Sequence, residues 1–299
     1  MTALQLPKQV TLMDVSPRDG LQSEPVFVPT EKKVALIEAL IQAGLRRIEL
    51  TSFASPKWVP QMADAEAVLQ AVVPKYPDVQ FEVLLPNLKG YERAVATGLI
   101  QQIGYVVAAT ETLNLKNVNM SVADSMQQFG AMAEKAKAAG LRVRGTIGVA
   151  FVCPYEGRVA MAQTERLAAE YFQLGADEVC LADTVGRARP DHVYELFARV
   201  KEQWPGKPLA GHFHDTHQLA LANIFAALQA GADIFDSSVG NLGGCQFAAG
   251  ATGNVATERV VYMLAGMGIA TGIDLDTLRT TADYARSLIA PPPAASQAG

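Results

Sequence analysis

The sequence predicts an α/β barrel of eight strands alternating with eight helices, with one additional C-terminal helix. Three observations predict it. First, a helix end of small residues, a Gly and a strand-like run recur in that order. Ala43-Gly44-Leu45 precedes Arg47 to Thr51, Thr97-Gly98-Leu99 precedes Gln102 to Val107, and Ala139-Gly140-Leu141 precedes Val143 to Val149. Leu174-Gly175-Ala176 precedes Glu178 to Ala182, and Ala230-Gly231-Ala232 precedes Ile234 to Asp236. Gly just past a helix end adopts the left-handed conformation without a Cβ clash, so each repeat reads as a helix feeding a strand, not as a hairpin. Second, eight strands and eight helices in 299 residues match the length of a TIM barrel. Third, no Gly-x-Gly-x-x-Gly follows the first strand, which argues against the rival, a doubly wound open sheet.

Taken in order, the first strand runs from Gln9 to Val15, the third from Gln80 to Leu85 and the seventh from Pro208 to His214. The five Gly-led runs supply the others. Between them lie helices with apolar residues at three- and four-residue spacing, as in Val34, Ile37, Leu40 and Ile41. Thr30, Ser121 (with Asp124 three residues on) and Thr164 are the expected N-caps. The seventh helix is expected over about Ala220 to Gln229 and the eighth over about Asn254 to Met267. The additional amphipathic helix covers about Leu275 to Ile289, and the Pro-rich tail 291–299 is expected to be disordered. Residues 1–290 then form a single catalytic domain.

Composition excludes several functions. With 49 % apolar and 18 % charged residues a substantial core is available. The net charge of −5 lacks the basic footprint of a nucleic-acid binder. Cys153, Cys180 and Cys245 are odd in number and widely spaced, which suits a reducing compartment rather than a disulfide framework. No signal peptide and no membrane-length apolar run is evident, so a cytoplasmic protein with no membrane partner is expected.

In such a barrel the chemistry lies at the C-terminal strand ends. Arg18 and Asp19 follow the first strand, Glu49 sits near the end of the second, Asp183-Thr184 ends the sixth, and His212, His214 and Asp215 end the seventh. The Gly-rich segment Ser237 to Asn254, with Cys245, follows the eighth. Three of the four histidines fall in Leu209 to Gln218, and strand periodicity turns His212 and His214 to one side and Phe213 to the other. Two imidazoles, the Asp19 carboxylate and the Asn254 side-chain carbonyl make a mixed N/O set suited to Mg²⁺ or Mn²⁺. Blander roles stand beside these: Asp183-Thr184 as a cap for the sixth helix, Asp215 as a cap for the seventh, His217 as a rim residue, and Cys153 and Cys180 as small core residues.

These motifs resemble those of the 3-hydroxy-3-methylglutaryl-CoA lyases over about Val10 to Ile289. They are Ser-Pro-Arg-Asp-Gly-Leu-Gln at 16–22, the Glu-Leu-Thr-Ser-Phe-Ala-Ser-Pro-Lys-Trp run from 49, Cys-Pro-Tyr-Glu-Gly at 153–157, Asp-Thr-Val-Gly at 183–186, His-Phe-His-Asp-Thr at 212–216 and Gly-Gly-Cys at 243–245. The resemblance implies metal ligation by Asp19, His212, His214 and Asn254, a catalytic role for Arg18, proton donation by Cys245, and active-site places for Glu49 and Asp183. It implies retro-Claisen cleavage of a branched 3-hydroxyacyl-CoA, with Asp19 or a metal-side histidine such as His212 as the base. Leu21 stands where related synthases carry Glu, which favours lyase over synthase. The flanks His217-Gln218-Leu219, Gly240-Asn241-Leu242 and Gln246-Phe247 depart from the usual pattern. They leave other substrates open, such as citramalyl-CoA or a longer isoprenoid glutaryl-CoA. An aldolase or Claisen synthase, or a non-catalytic metal- or CoA-binding barrel, are the alternatives of other kinds. Lys57, Lys89 and Lys116 are candidate CoA contacts, and a homo-oligomer is the expected assembly.

Overall fold

The computed structural model describes residues 6–244 and 253–289. Eight parallel strands close into a barrel: β1 (Thr11–Asp14), β2 (Arg47–Ser52), β3 (Gln80–Leu84), β4 (Gln102–Ala108), β5 (Arg142–Gly148), β6 (Glu178–Asp183), β7 (Leu209–Phe213) and β8 (Ile234–Ser237). β8 returns to pair with β1, with Met13 opposite Asp236. Around the barrel lie α1 (Thr30–Gln42), α2 (Ala65–Val72), α3 (Leu88–Val95), α4 (Glu111–Val118), α5 (Val122–Ala138), α6 (Met161–Gln173), α7 (Pro190–Gln203), α8 (Ala220–Gln229) and α9 (Thr257–Gly266). The additional helix α10 (Leu275–Ile289) is present and packs against α1 and α9. A small antiparallel hairpin, Val152–Cys153 with Gly157–Arg158, follows β5. The tail 291–299 lies outside the described residues.

Every residue of β2, β6 and β7 is buried, as expected of strands enclosed on both faces. Outward side chains are apolar and meet the helices. Phe213, for example, packs on Phe151 and Phe197 with ring centroids 6.1 and 6.3 Å away. Inward side chains are different, because much of the interior is ionic. Arg47 on β2 donates to both oxygens of Glu178 on β6 at 3.0 and 3.1 Å. Arg144 on β5 pairs with Glu178 at 2.8 Å and with Asp236 on β8 at 2.8 Å, and lies 3.7 Å from Glu82 on β3. Gly104 on β4 makes room for this cluster, since a Cβ there would lie 2.5 Å from a Glu82 oxygen. Burial raises the Glu82 carboxyl to about 7, although Arg144 opposes the shift.

Three sequence expectations are corrected. Thr30 is not the cap of α1: Pro29 occupies that place, and the Thr30 hydroxyl donates to Asp64 at 2.8 Å instead. Thr164 lies inside α6, where its hydroxyl donates to the Ala150 carbonyl at 2.8 Å. α9 begins at Thr257 rather than near Asn254, because 254–256 is extended, with Asn254 bridging to His214 and Ala256 to Ser238. Ser121 does cap α5, accepting from the Asp124 N–H at 3.0 Å.

Candidate active site

The site is built from the C-terminal ends of β1, β2, β7 and the segment after β8. Past β1 the chain winds through one tight turn, Ser16–Gly20, in which the Val15 carbonyl accepts from the N–H groups of Arg18, Asp19 and Gly20. This turn places two adjacent, opposite charges at the mouth. Arg18 pairs with Asp19 at 2.7 Å and, through its other terminal nitrogen, with Glu49 at 2.7 Å. Burial works against the Arg18 cation, but Glu49 and Asp19 outweigh it and hold its pKa above the ordinary value. Glu49 is raised by its burial, against the pull of Arg18, and among the described residues its second oxygen has no partner.

His212 on β7 and His214, one residue past its end, keep the strand period, with ring centroids 5.2 Å apart. Asn254 is brought beside them by pairing across the end of β7: Val255 N–H donates to the Phe213 carbonyl, and Asp215 N–H to that of Gly253. Asp19, His212 and His214 each offer a ligand atom, and these atoms all lie within 4.8 Å of one another. Asn254 donates its amide to Asp19 at 2.8 Å, and among the described residues its buried carbonyl oxygen has no partner. Gln22 adds a third side-chain donor to Asp19, after Arg18 and Asn254, at 2.8 Å.

The electrostatics suit a cation. Burial alone would raise Asp19, but Arg18, His212 and His214 pull it below the usual carboxylate range. His214 is lowered to about 4 by burial and by His212, so its ring is neutral at pH 7 and free to ligate. An ionised carboxylate, imidazole nitrogens and an unsatisfied amide oxygen in one buried cluster are what a hard or borderline divalent ion requires. The donor set fits the expected group.

Other expected residues fall as follows. Asp183 is buried, and its two oxygens accept from the Arg187 and Ala188 N–H groups at 3.0 and 2.9 Å, so it holds the turn leading into α7. Its pKa rises to about 6, burial outweighing those bonds. Asp215 accepts from Ala220 N–H at the start of α8, and His217 is exposed at the rim. Lys57, Lys89 and Lys116 are all exposed. Cys245 lies outside the described residues, as do Gln246 and Phe247. Sequence reading missed Asp236 and Gln22. The available signal for Asp236 was its alternation with Phe235 along β8, which turns the acid inward at the level of His212.

The HMGL-like family profile matches residues 9–284. The chain belongs to the HMGL-like family. It is 46 % identical over 279 residues to the mitochondrial hydroxymethylglutaryl-CoA lyase of Rattus norvegicus, spanning 93 % of this chain and 85 % of the relative. It is 46 % identical over 280 residues to the cytoplasmic 3-hydroxy-3-methylglutaryl-CoA lyase of Danio rerio, spanning 94 % and 83 %. Among solved structures, hydroxymethylglutaryl-CoA lyase from Pseudomonas aeruginosa superposes with a TM-score of 0.91 at 43 % identity, covering 96 % of this chain and 95 % of the other. An HMG-CoA lyase from Acinetobacter baumannii, in complex with coenzyme A and 3-methylmalate, superposes with 0.89 at 39 % identity, covering 94 % and 92 %.

Proposed function

We infer that this chain is a carbon–carbon lyase that cleaves 3-hydroxy-3-methylglutaryl-CoA to acetyl-CoA and acetoacetate. The observation that carries the reading is the convergence of Asp19, His212 and His214 beside the unpartnered Asn254 oxygen, in a chain 46 % identical to hydroxymethylglutaryl-CoA lyases. These four residues would hold a divalent cation, Mg²⁺ or Mn²⁺, which when bound supplies Lewis acidity to the substrate hydroxyl. The chain's own groups do the rest. Asp19, ionised, or a neutral imidazole of the cluster takes the tertiary hydroxyl proton. The C3–O bond becomes a carbonyl as C2–C3 breaks, and the electron pair moves onto the thioester as an enolate. Arg18 stabilises that oxyanion. Its charge is fixed in place by Glu49, so it meets the developing charge without reorganising. Cys245 is the proposed donor of the proton that C2 needs to become the methyl of acetyl-CoA. Asp183 contributes by holding the wall of the mouth.

Residues 1–290 are proposed as one catalytic domain, supported by the closed barrel and a continuous apolar core. A homo-oligomer and a cytoplasmic location belong to the same reading. The cysteine usage supports the location; among the described residues no helix is long and apolar enough to cross a membrane. The test is acetyl-CoA and acetoacetate release from 3-hydroxy-3-methylglutaryl-CoA with Mg²⁺, repeated after chelation. Release that stops on chelation and returns with metal is expected. Full turnover in the chelated protein would remove the metal assignment, and no release from metal-bound protein would remove the substrate.

A further inference from the structure

His212 and His214 look equivalent in sequence, but their surroundings differ. Among the described residues, the buried His214 Nδ1 has no hydrogen-bond partner. His212 Nδ1 lies 3.2 Å from Asp236 Oδ2. The other Asp236 oxygen accepts from Arg144 at 2.8 Å, and Arg144 is itself paired with Glu178, which Arg47 holds from the far side. Asp236 is 4 % exposed and Arg144 2 %, so these groups are shielded from bulk solvent at the barrel axis.

We propose that Asp236 is a positioning residue that fixes His212 in the one tautomer able to bind the metal. The proposal rests on the metal reading above. An ionised carboxylate only accepts hydrogen bonds, and a guanidinium only donates. With Arg144 donating to one oxygen, the other faces two groups, the Cys180 thiol at 3.8 Å and His212 Nδ1 at 3.2 Å, and because a carboxylate oxygen only accepts, the closer ring contact needs its proton on Nδ1. A neutral imidazole has a single N–H. Once that proton faces Asp236, Nε2 carries the lone pair and is the ring nitrogen left for the cluster. Carboxylates behind metal-bound histidines act in this way, and their loss weakens metal binding about 10- to 100-fold. The buried ion chain extends the argument. Arg144 keeps Asp236 ionised, and Glu178 and Arg47 keep Arg144 in register, so the geometry of one ligand is set from deep in the barrel. His214 has no such device, so the two ligands differ in pre-organisation.

Asp236→Asn tests this with almost no change of shape. The new amide would turn its oxygen to Arg144, because a guanidinium has no lone pair to offer an NH₂ group. The NH₂ would then face His212 Nδ1, which would have to accept, and the Nε2–H would face the metal. Mn²⁺ binding is read directly from the free-ion electron paramagnetic resonance signal, with steady-state kinetics alongside. The expected result is a Kd for Mn²⁺ about 10- to 100-fold weaker, with kcat at saturating Mn²⁺ largely recovered. A merely structural role would lower the unfolding midpoint without separating these two readings. Folded Asp236→Asn that binds Mn²⁺ within about twofold of the wild type would overturn the proposal. If that variant does not fold, the wild type decides. With ¹⁵N-labelled histidine and Mg²⁺ bound, His212 is expected to carry its proton on Nδ1, and a proton on Nε2 would overturn the proposal. Wild-type protein that binds no Mn²⁺ at all would remove the metal reading as well, which distinguishes that failure from failure of the positioning role alone.

Discussion

Asp14 ends β1 fully buried, with four donors around it. The Ser16 N–H and hydroxyl reach one oxygen, and the Val239 N–H and Thr257 hydroxyl reach the other. These bonds tie the first strand to the turn after the last strand and to the start of α9. Burial raises the carboxyl from 3.8 to about 6, the four bonds opposing it only in part. Between those two values the folded protein binds a proton that the unfolded chain has released, so stability falls as pH rises through the window. Relative to Asp14→Asn, which does not titrate, the wild type should gain up to about 3 kcal/mol between pH 7 and pH 4. Urea unfolding of both proteins at several pH values checks this, and a difference independent of pH would refute the shift. The role of Asp14 was not legible in the sequence because Val239 and Thr257 lie 225 and 243 residues away, and Asp236 was legible only as an inward acid, its partner being set by strand register. Asp19, His212 and His214 were legible because strand period and strand ends alone put them at one mouth.

Among elements, the segment after β8 shows how backbone sets the site. Gly243 has a φ of 110°, and a Cβ there would stand 2.8 Å from the Asn254 amide nitrogen. A Cβ on Gly253 would meet the Gly243 carbonyl at 1.8 Å. The two ends of 244–252 therefore cross at a distance only glycines allow, directly beneath Asn254 and Asp19. Gly243→Ala should destabilise the fold by about 1–2 kcal/mol, because Ala resists this φ, and should weaken Mn²⁺ binding by displacing Asn254. Thermal unfolding and Mn²⁺ titration check both effects, and loss of stability with unchanged Mn²⁺ affinity would separate Asn254 from the metal. The Gly-led repeats made the strand order readable, since each Gly ends one helix and admits the next strand. Helix starts were less readable. Thr30 and Thr164 have the side chain of a cap, but tertiary acceptors, Asp64 and the Ala150 carbonyl, claim their hydroxyls.

For the molecule as a whole, the ionic interior is the feature that sequence reading did not foresee, because charged residues inside strands read as breaks in an apolar run. Arg144 sits at its centre. Removing one partner of a buried pair leaves its counter-charges exposed to low dielectric, so Arg144→Met should cost about 3–5 kcal/mol in unfolding free energy. Equilibrium denaturation checks this, and a loss under about 1 kcal/mol would mean that Glu178 and Asp236 find other compensation. The same arrangement bears on how such barrels exchange parts. Arg47 and Glu82 belong to the first four strands, whereas Arg144, Glu178 and Asp236 belong to the last four. Neither half is self-sufficient, since Glu178 needs an arginine from across the barrel and Arg144 touches acids on both sides. A chimaera that joins one half of this barrel to the complementary half of a relative inherits an axis of unmatched charge unless the five positions travel together. Single substitutions along the axis are likewise filtered, and change there has to arrive as compensating pairs on different strands.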